Sequence, residues 1–272
     1  GLDVLGKRDD GYHEVRMIMQ TVGIYDRLII TKIPEDEIRI NINLKFLPVN
    51  ENNLIYKAYK LMKDEYGFSG GIDVDLNKFI PIAAGMAGGS TDAASTMFAI
   101  NRLFELGLSN EELMKQGVKI GADVPYCIMR GTALAEGIGE KLTKLSPMPH
   151  CHIVVAKPPI NVSTKMVYES LDAGAITKHP DIDAIIEAIN EGDVKKVAER
   201  MGNVLEDVTV PMYPVIAKIK NDMISQGAYN AMMSGSGPTV FGIFPDEQTA
   251  LKCKEYLKAQ EDARQVYITE TF

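Results

Sequence analysis

The segment Gly85-Met-Ala-Gly-Gly-Ser-Thr-Asp92 sets three glycines and two hydroxyls directly ahead of an apolar helical run. Glycine lets backbone N–H groups approach an anion closely, and the N-terminal amides and dipole of a helix favour negative charge. Phosphate is the guest that suits this chemistry, with Ser90 and Thr91 as added hydroxyl donors. The plain alternative is an ordinary loop in which Ser90 or Thr91 caps the helix. Spacing excludes the two commonest phosphate loops: no Gly-Lys-Ser/Thr closes the segment, and no strand-GxGxxG-helix unit with a distal ribose acid is present.

Three further segments carry candidate chemistry. Gly121-Ala-Asp123-Val-Pro125 follows an apolar helix and surrounds one carboxylate with small residues. Such an acid takes a hydroxyl proton during phosphoryl transfer, holds a metal ion, or makes an Asx-type turn, and local sequence leaves all three open. Ser234-Gly-Ser-Gly-Pro-Thr239 lies between two apolar strands. It reads either as a hairpin turn or, through Ser234 and Ser236, as a second backbone clamp on a phosphate. Asp9-Asp-Gly-Tyr-His-Glu14 gathers into one turn a ring that can stack, Tyr12, and a ring that can hydrogen-bond a base or sugar, His13. A turn with an exposed aromatic is the alternative there. His150, His152 and His179 show no metal-ligand spacing, and no metal-ligating residue is assigned.

The elements that must position these residues follow from hydrophobic periodicity. Leu28 to Ile33, the alternating Ile38, Ile40 and Ile42, and the alternating Ile72, Val74 and Leu76 predict strands with one buried face. Leu54, Ile55, Ala58, Leu61 and Met62 predict a helix over 53–66, and Ala94, Met97, Phe98, Ala99 and Leu103 predict another that stops at Gly107. Ser109-Asn-Glu-Glu112 has the reciprocal capping pattern of a helix start. After a strand at 132–136, Leu145-Ser-Pro-Met-Pro149 interrupts any regular element, and the domain boundary is placed there. The remainder predicts strands at 153–156, 229–233, 240–244 and 265–268. Helices are predicted at 165–171, 182–189, 194–201, 214–226 and 247–257, which makes this half helix-rich α+β.

Composition narrows the partners. The 272 residues suit one large or two ordinary domains, and 46% hydrophobic with 24% charged residues argues against disorder. With 29 Lys+Arg against 37 Asp+Glu, a net charge of −8 and no basic run, nucleic acid is not an expected partner. Cys127, Cys151 and Cys253 are odd in number and unpaired in spacing, which suggests neither a disulfide framework nor a zinc site and fits a reducing cytoplasm. No apolar run is long enough to span a bilayer and no export signal opens the chain, so a soluble cytoplasmic protein with no membrane partner is expected. Gly1-Leu2-Asp3-Val4-Leu5 reads as the middle or end of an apolar strand, so the native beginning is expected to precede it.

Taken in order, five segments resemble the GHMP kinase superfamily over essentially the whole chain. They are Gly6-Lys-Arg-Asp-Asp-Gly-Tyr-His13, Asn52-Asn-Leu54, the run from Pro81 to Ala94, Gly121-Ala-Asp-Val-Pro125 and Ser234-Gly-Ser-Gly-Pro238. The resemblance implies an α+β, two-domain fold. Residues 1–148 would form an ATP-binding, catalytic domain like ribosomal protein S5 domain 2, and residues 149–272 a ferredoxin-like domain with extra helices. It implies that Gly85, Ala87, Gly88, Gly89, Ser90 and Thr91 cradle the phosphates of ATP and that Asn53, Leu54 and Lys78 lie near the adenine. Pro81 and Ser236 would belong to the same nucleotide site. Asp123 would be the base toward the acceptor hydroxyl. Tyr12 and His13 match a cytidine-recognising turn, and Tyr168 matches an aromatic residue on the opposite face of cytosine. The implied reaction is Mg²⁺-assisted, ATP-dependent phosphorylation of a cytidylated methylerythritol, in the non-mevalonate route to isoprenoids, by a monomer or homodimer.

Three departures from the superfamily pattern stand out. Ala83 and Ala87 occupy positions where many members have glycine, which slightly restricts the loop's backbone, although alanine at φ below zero is acceptable. Asp92 replaces a common Asn, which adds negative charge near the phosphates unless it faces away or binds the metal ion. The superfamily's Ala-Lys-aliphatic-Asn strand would fall just ahead of Gly1, and Lys7 lies beyond that strand, a poor substitute for its lysine.

Overall fold

A computed structural model describes residues 1–272. Strands β1 (Leu2–Lys7), β2 (His13–Gln20), β3 (Arg27–Ile33) and β4 (Ile38–Ile42) precede helix α1 (Leu54–Tyr66) and strand β5 (Gly71–Asn77). Helices α2 (Gly88–Leu103), α3 (Asn110–Gly117) and α4 (Val124–Met129) follow, then strands β6 (Thr132–Gly137), β7 (Lys141–Lys144) and β8 (His152–Lys157). Next come helices α5 (Thr164–Ser170), α6 (Ile182–Glu191), α7 (Val194–Glu199), α8 (Glu206–Met212) and α9 (Val215–Ser225). Strands β9 (Asn230–Met233) and β10 (Val240–Phe244), helix α10 (Glu247–Ala259) and strand β11 (Gln265–Glu270) complete the chain.

The chain divides into two compact units. Unit 1 gathers residues 1–23, 83–86 and 131–272, so Pro147 and Pro149 lie within it, and unit 2 gathers residues 24–82 and 87–130. In unit 2 the sheet runs β3-β5-β4, with β3 antiparallel and β4 parallel to β5. Period-two alternation turns Ile72, Val74 and Leu76 to the core, and α1 makes the crossover that the parallel pair requires. Asn53 caps α1 by accepting from the Ile55 amide at 2.9 Å, and Gly67 at φ 61° ends it. Ile55, Ala58, Tyr59 and Met62 are the buried face of α1, which packs on α2.

Unit 1 holds two antiparallel sheets, β1-β2-β6-β7 and β11-β8-β10-β9. In the second, chain order places the fourth strand beside the first, then the third and second, with helices joining β8 to β9 and β10 to β11. That is the ferredoxin-like arrangement. Its core sets Val154, Ala156, Met233, Val240 and Phe244 against Ile216, Ile219 and Met223 of α9 and Ala250, Cys253 and Leu257 of α10.

Several elements carry no usable signal in sequence. Helix α4 has six residues and takes Pro125 in its first turn, too short for a periodic pattern. Helix α8 contains Pro211, which disguises it. His13 opens β2 rather than lying within the preceding turn, which closes through the Gly11 amide on Arg8 O at 3.1 Å. No helix is long and apolar enough to cross a membrane.

Candidate active site

The glycine segment opens α2, as its composition demands. The first intrahelical bond runs from the Thr91 amide to Ala87 O at 2.9 Å, so the amides of Gly88, Gly89 and Ser90 precede it without helical acceptors. Gly88 is required by close packing: a Cβ there would lie 2.9 Å from Ile80 Cγ2 and 3.3 Å from Lys78 Nζ. A Cβ on Gly89 would meet Leu54 Cδ1 at 3.2 Å. Unit 2 therefore gathers Asn53, Leu54, Lys78, Gly88 and Gly89 around the start of one helix, and Pro81 is buried within the same unit. Ser90 Oγ makes no hydrogen bond within the protein. The Thr91 hydroxyl donates back to Ala87 O at 3.0 Å.

Neither alanine of the loop takes the negative φ at which it is unstrained. Ala83 sits at φ 49° and Ala87 at φ 50°, in the left-handed region where Cβ crowds the carbonyl. These alanines accept strain that glycine would not feel, because the turn into α2 leaves no other path. Ala87→Gly is expected to raise stability by about 0.5–1 kcal/mol, the relief of that strain less the added freedom of the unfolded chain. Urea unfolding checks this, and a lower midpoint for the variant would contradict it.

Asp123 stands at the N-terminus of α4, its carbonyl accepting from the Cys127 amide at 3.1 Å. Thr91 Oγ1 on the first turn of α2 lies 3.4 Å from Cys127 Sγ on the first turn of α4, so the open amides and the acid begin adjacent helices. The carboxylate caps nothing, and desolvation holds it above the usual carboxylate range. An acid in that state is a better proton acceptor near neutrality than an exposed one. Burial pushes the Cys127 thiol up to about 12, which makes it a spacer and not a nucleophile.

Lys78 and Asp92 meet in a buried charge cluster with a residue that sequence patterns do not reveal. Lys78 Nζ donates to Asp92 Oδ2 at 2.8 Å and to Asp26 Oδ2, while Asp26 Oδ1 accepts from the amides of Phe79 and Ile80 at 2.6 and 2.9 Å. Asp92 thus faces the interior, where its partner is an ammonium. Asp26 is a single acid ahead of a strand, and nothing in its neighbourhood in sequence announces that it clamps a segment some fifty residues away.

Unit 1 holds the other candidates. Gly85, at φ 65°, packs so closely that a Cβ would fall 2.1 Å from Ser234 O, and Ser234 Oγ donates to Gly85 O at 2.7 Å. Ser236 is buried, its hydroxyl 2.8 Å from that of Thr164 at the start of α5. One helical turn further along α5, the Tyr168 ring lies 5.2 Å from that of His13, with the planes tilted by 39°. Helix α5 therefore joins the serine hairpin to the aromatic pair. Thr164 was not singled out by sequence. Tyr12 remains 60% exposed, and desolvation together with the charge of Lys7 lowers the pKa of His13, which favours neutral imidazole.

Comparison with known proteins bears on this geometry. The GHMP kinases N terminal domain matches residues 53–131 and the GHMP kinases C terminal domain matches residues 185–263. A 4-diphosphocytidyl-2-C-methyl-D-erythritol kinase from Lachnospira eligens is 70% identical over 272 residues, covering 100% of this chain and 94% of that protein. The chain belongs to the GHMP kinase family. A second 4-diphosphocytidyl-2-C-methyl-D-erythritol kinase, from Lachnoclostridium phytofermentans, is 52% identical, covering 100% of this chain and 93% of the relative. A crystal structure of 4-(cytidine 5'-diphospho)-2C-methyl-D-erythritol kinase superposes with a TM-score of 0.85 at 29% identity, covering 100% of this chain and 95% of its own. The α+β, two-domain architecture of GHMP kinases is thus the architecture of this chain, and the family's phosphate donor is ATP.

Proposed function

We propose that the chain transfers the γ-phosphate of ATP to the 2-hydroxyl of 4-diphosphocytidyl-2-C-methyl-D-erythritol, giving the 2-phosphate and ADP for isoprenoid synthesis. The observation that carries this reading is the Thr91–Cys127 contact at 3.4 Å, which sets the open amides of α2 beside the helix that Asp123 begins. Gly88, Gly89 and Ser90 would hold phosphate oxygens through backbone N–H, with Leu54 beneath the loop and Asn53 at the neighbouring helix start. Positioning and charge neutralisation supply most of the acceleration in phosphoryl transfer. Asp123 would receive the hydroxyl proton as the oxygen attacks phosphorus. Tyr12, His13 and Tyr168 would hold the cytosine by stacking and hydrogen bonds, while Gly85 and Ser236 order the serine hairpin within unit 1.

When bound with the polyphosphate, Mg²⁺ would supply neutralisation of its charge. No three His, Cys, Asp or Glu side chains converge as a metal cage, so the ion would be held mainly by phosphate oxygens and water. The partner is a small molecule, and neither nucleic acid nor membrane enters the scheme. A steady-state ADP-release assay on full-length protein tests the reading. ADP should appear with the cytidylated polyol and stay at background with homoserine or mevalonate. No acceptor-dependent ADP would overturn the assignment.

A further inference from the structure

Unit 2 buries three charged side chains together, those of Asp26, Lys78 and Asp92, at 1, 5 and 6% exposure. Asp26 spends both oxygens, one on the Phe79 and Ile80 amides and the other on Lys78. Asp92 spends only one: Oδ2 accepts from Lys78 Nζ at 2.8 Å, while Oδ1 is buried without a partner. One ammonium faces two carboxylates, and a surplus buried charge is costly. Asp92 is the acid left with an unpartnered buried oxygen, so it is the group placed to carry a proton entering the cluster.

We propose that Asp92 is a positioning residue that takes up a proton when a polyphosphate settles at the N-terminus of α2, so that nucleotide affinity is linked to pH. This rests on the reading that the nucleotide phosphates occupy that helix end. Gly88, the first residue of α2, packs against Lys78, the same ammonium that Asp92 engages one turn later. Added phosphate charge therefore acts on a cluster already one negative charge in surplus, across protein rather than water. The free chain is poised for this, since burial, only partly offset by Lys78, pushes Asp92 up to about 7.

Asp123 is the other carboxyl near the phosphates that can take a proton, and the comparison with Asp92→Asn separates its uptake from that of Asp92. Lys78 closes β5, Asp26 precedes β3, and α4 contributes the Cys127 thiol, protonated up to about 12, with Asp123 beyond it. Helix α1 brings the apolar Ile55, Ala58 and Met62. The sign follows from reciprocity: phosphate raises the proton affinity of Asp92, so protonation tightens nucleotide binding. The gain is fully present below the pKa of the free chain and is lost as pH rises through that of the complex.

Titration calorimetry with ATP, in the absence of acceptor, reads this directly. The full chain and Asp92→Asn are compared from pH 6.5 to 8.5 in two buffers of contrasting ionisation enthalpy, so the nucleotide's own titration is common to both. The unmodified chain should take up protons that the variant does not, and its affinity should fall about sixfold more across the range, the effect of a one-unit coupled shift. Equal proton counts with ATP bound would overturn the link and leave the nucleotide site standing; no ATP binding at all would overturn both. Should Asp92→Asn not fold, Asp92→Ser replaces it. Proton uptake by the unmodified chain no greater than the ionisation of ATP itself defeats the proposal without any variant.

Discussion

Asp123→Asn is expected to bind ATP nearly as tightly as the unmodified chain while turnover falls by a factor of about 10² to 10⁴, the range typical of losing a general base. The substitution keeps volume and removes only the ability to accept a proton. The carboxylate makes no cap, so no helix depends on it, and the open amides of α2 are backbone groups that the change does not touch. Rapid-quench turnover beside equilibrium ATP binding separates the two effects. The unmodified enzyme should also lose turnover as pH drops through the raised pKa of Asp123, since only the ionised form is a base. Turnover of the variant within a few-fold of the original would remove Asp123 from the chemistry.

Tyr168→Ala should raise KM for the cytidylated acceptor roughly 10- to 100-fold and leave KM for ATP almost unchanged. The magnitude is that of one base–aromatic stack, about 1–3 kcal/mol by alanine substitution. The pairing of Tyr168 with His13 at 5.2 Å gives the substitution a second consequence, because the imidazole loses the ring that fixes its tilt. Tyr168 also packs against the unit 1 core, so thermal unfolding must accompany the kinetics to show that the variant is folded. Equal losses for ATP and acceptor would mean that the ring supports the fold rather than a base, and would favour a different acceptor.

Much of the fold was written in local patterns. Period-two apolar residues marked β4 and β5, helical spacing marked α1, α2 and α10, and Ser109 with Glu112 marked the start of α3, where both halves of the capping box form. The glycine segment was legible because the close approach of Gly88 to Ile80 and of Gly89 to Leu54 needs residues without side chains, and that need shows in composition. Helices α4 and α8 were not, since one is shorter than two turns and the other contains proline. The positive φ of Ala83 and Ala87 leaves no trace in sequence for a related reason: alanine ordinarily avoids that region.

The amino-acid order by itself determined which residues are candidates for the proposed chemistry, the amides around Gly88 and the carboxylate of Asp123 among them, and that no basic run is present. Tertiary structure alone decided their company. It set Cys127 against Thr91, buried Asp92 on Lys78 and Asp26 rather than toward solvent, and laid α5 between Ser236 and His13. The physical reason is range. Propensity, capping and periodicity act over a few neighbouring residues and leave a trace in spacing, whereas an ion pair or ring contact between distant segments exists only after packing has excluded water from between them.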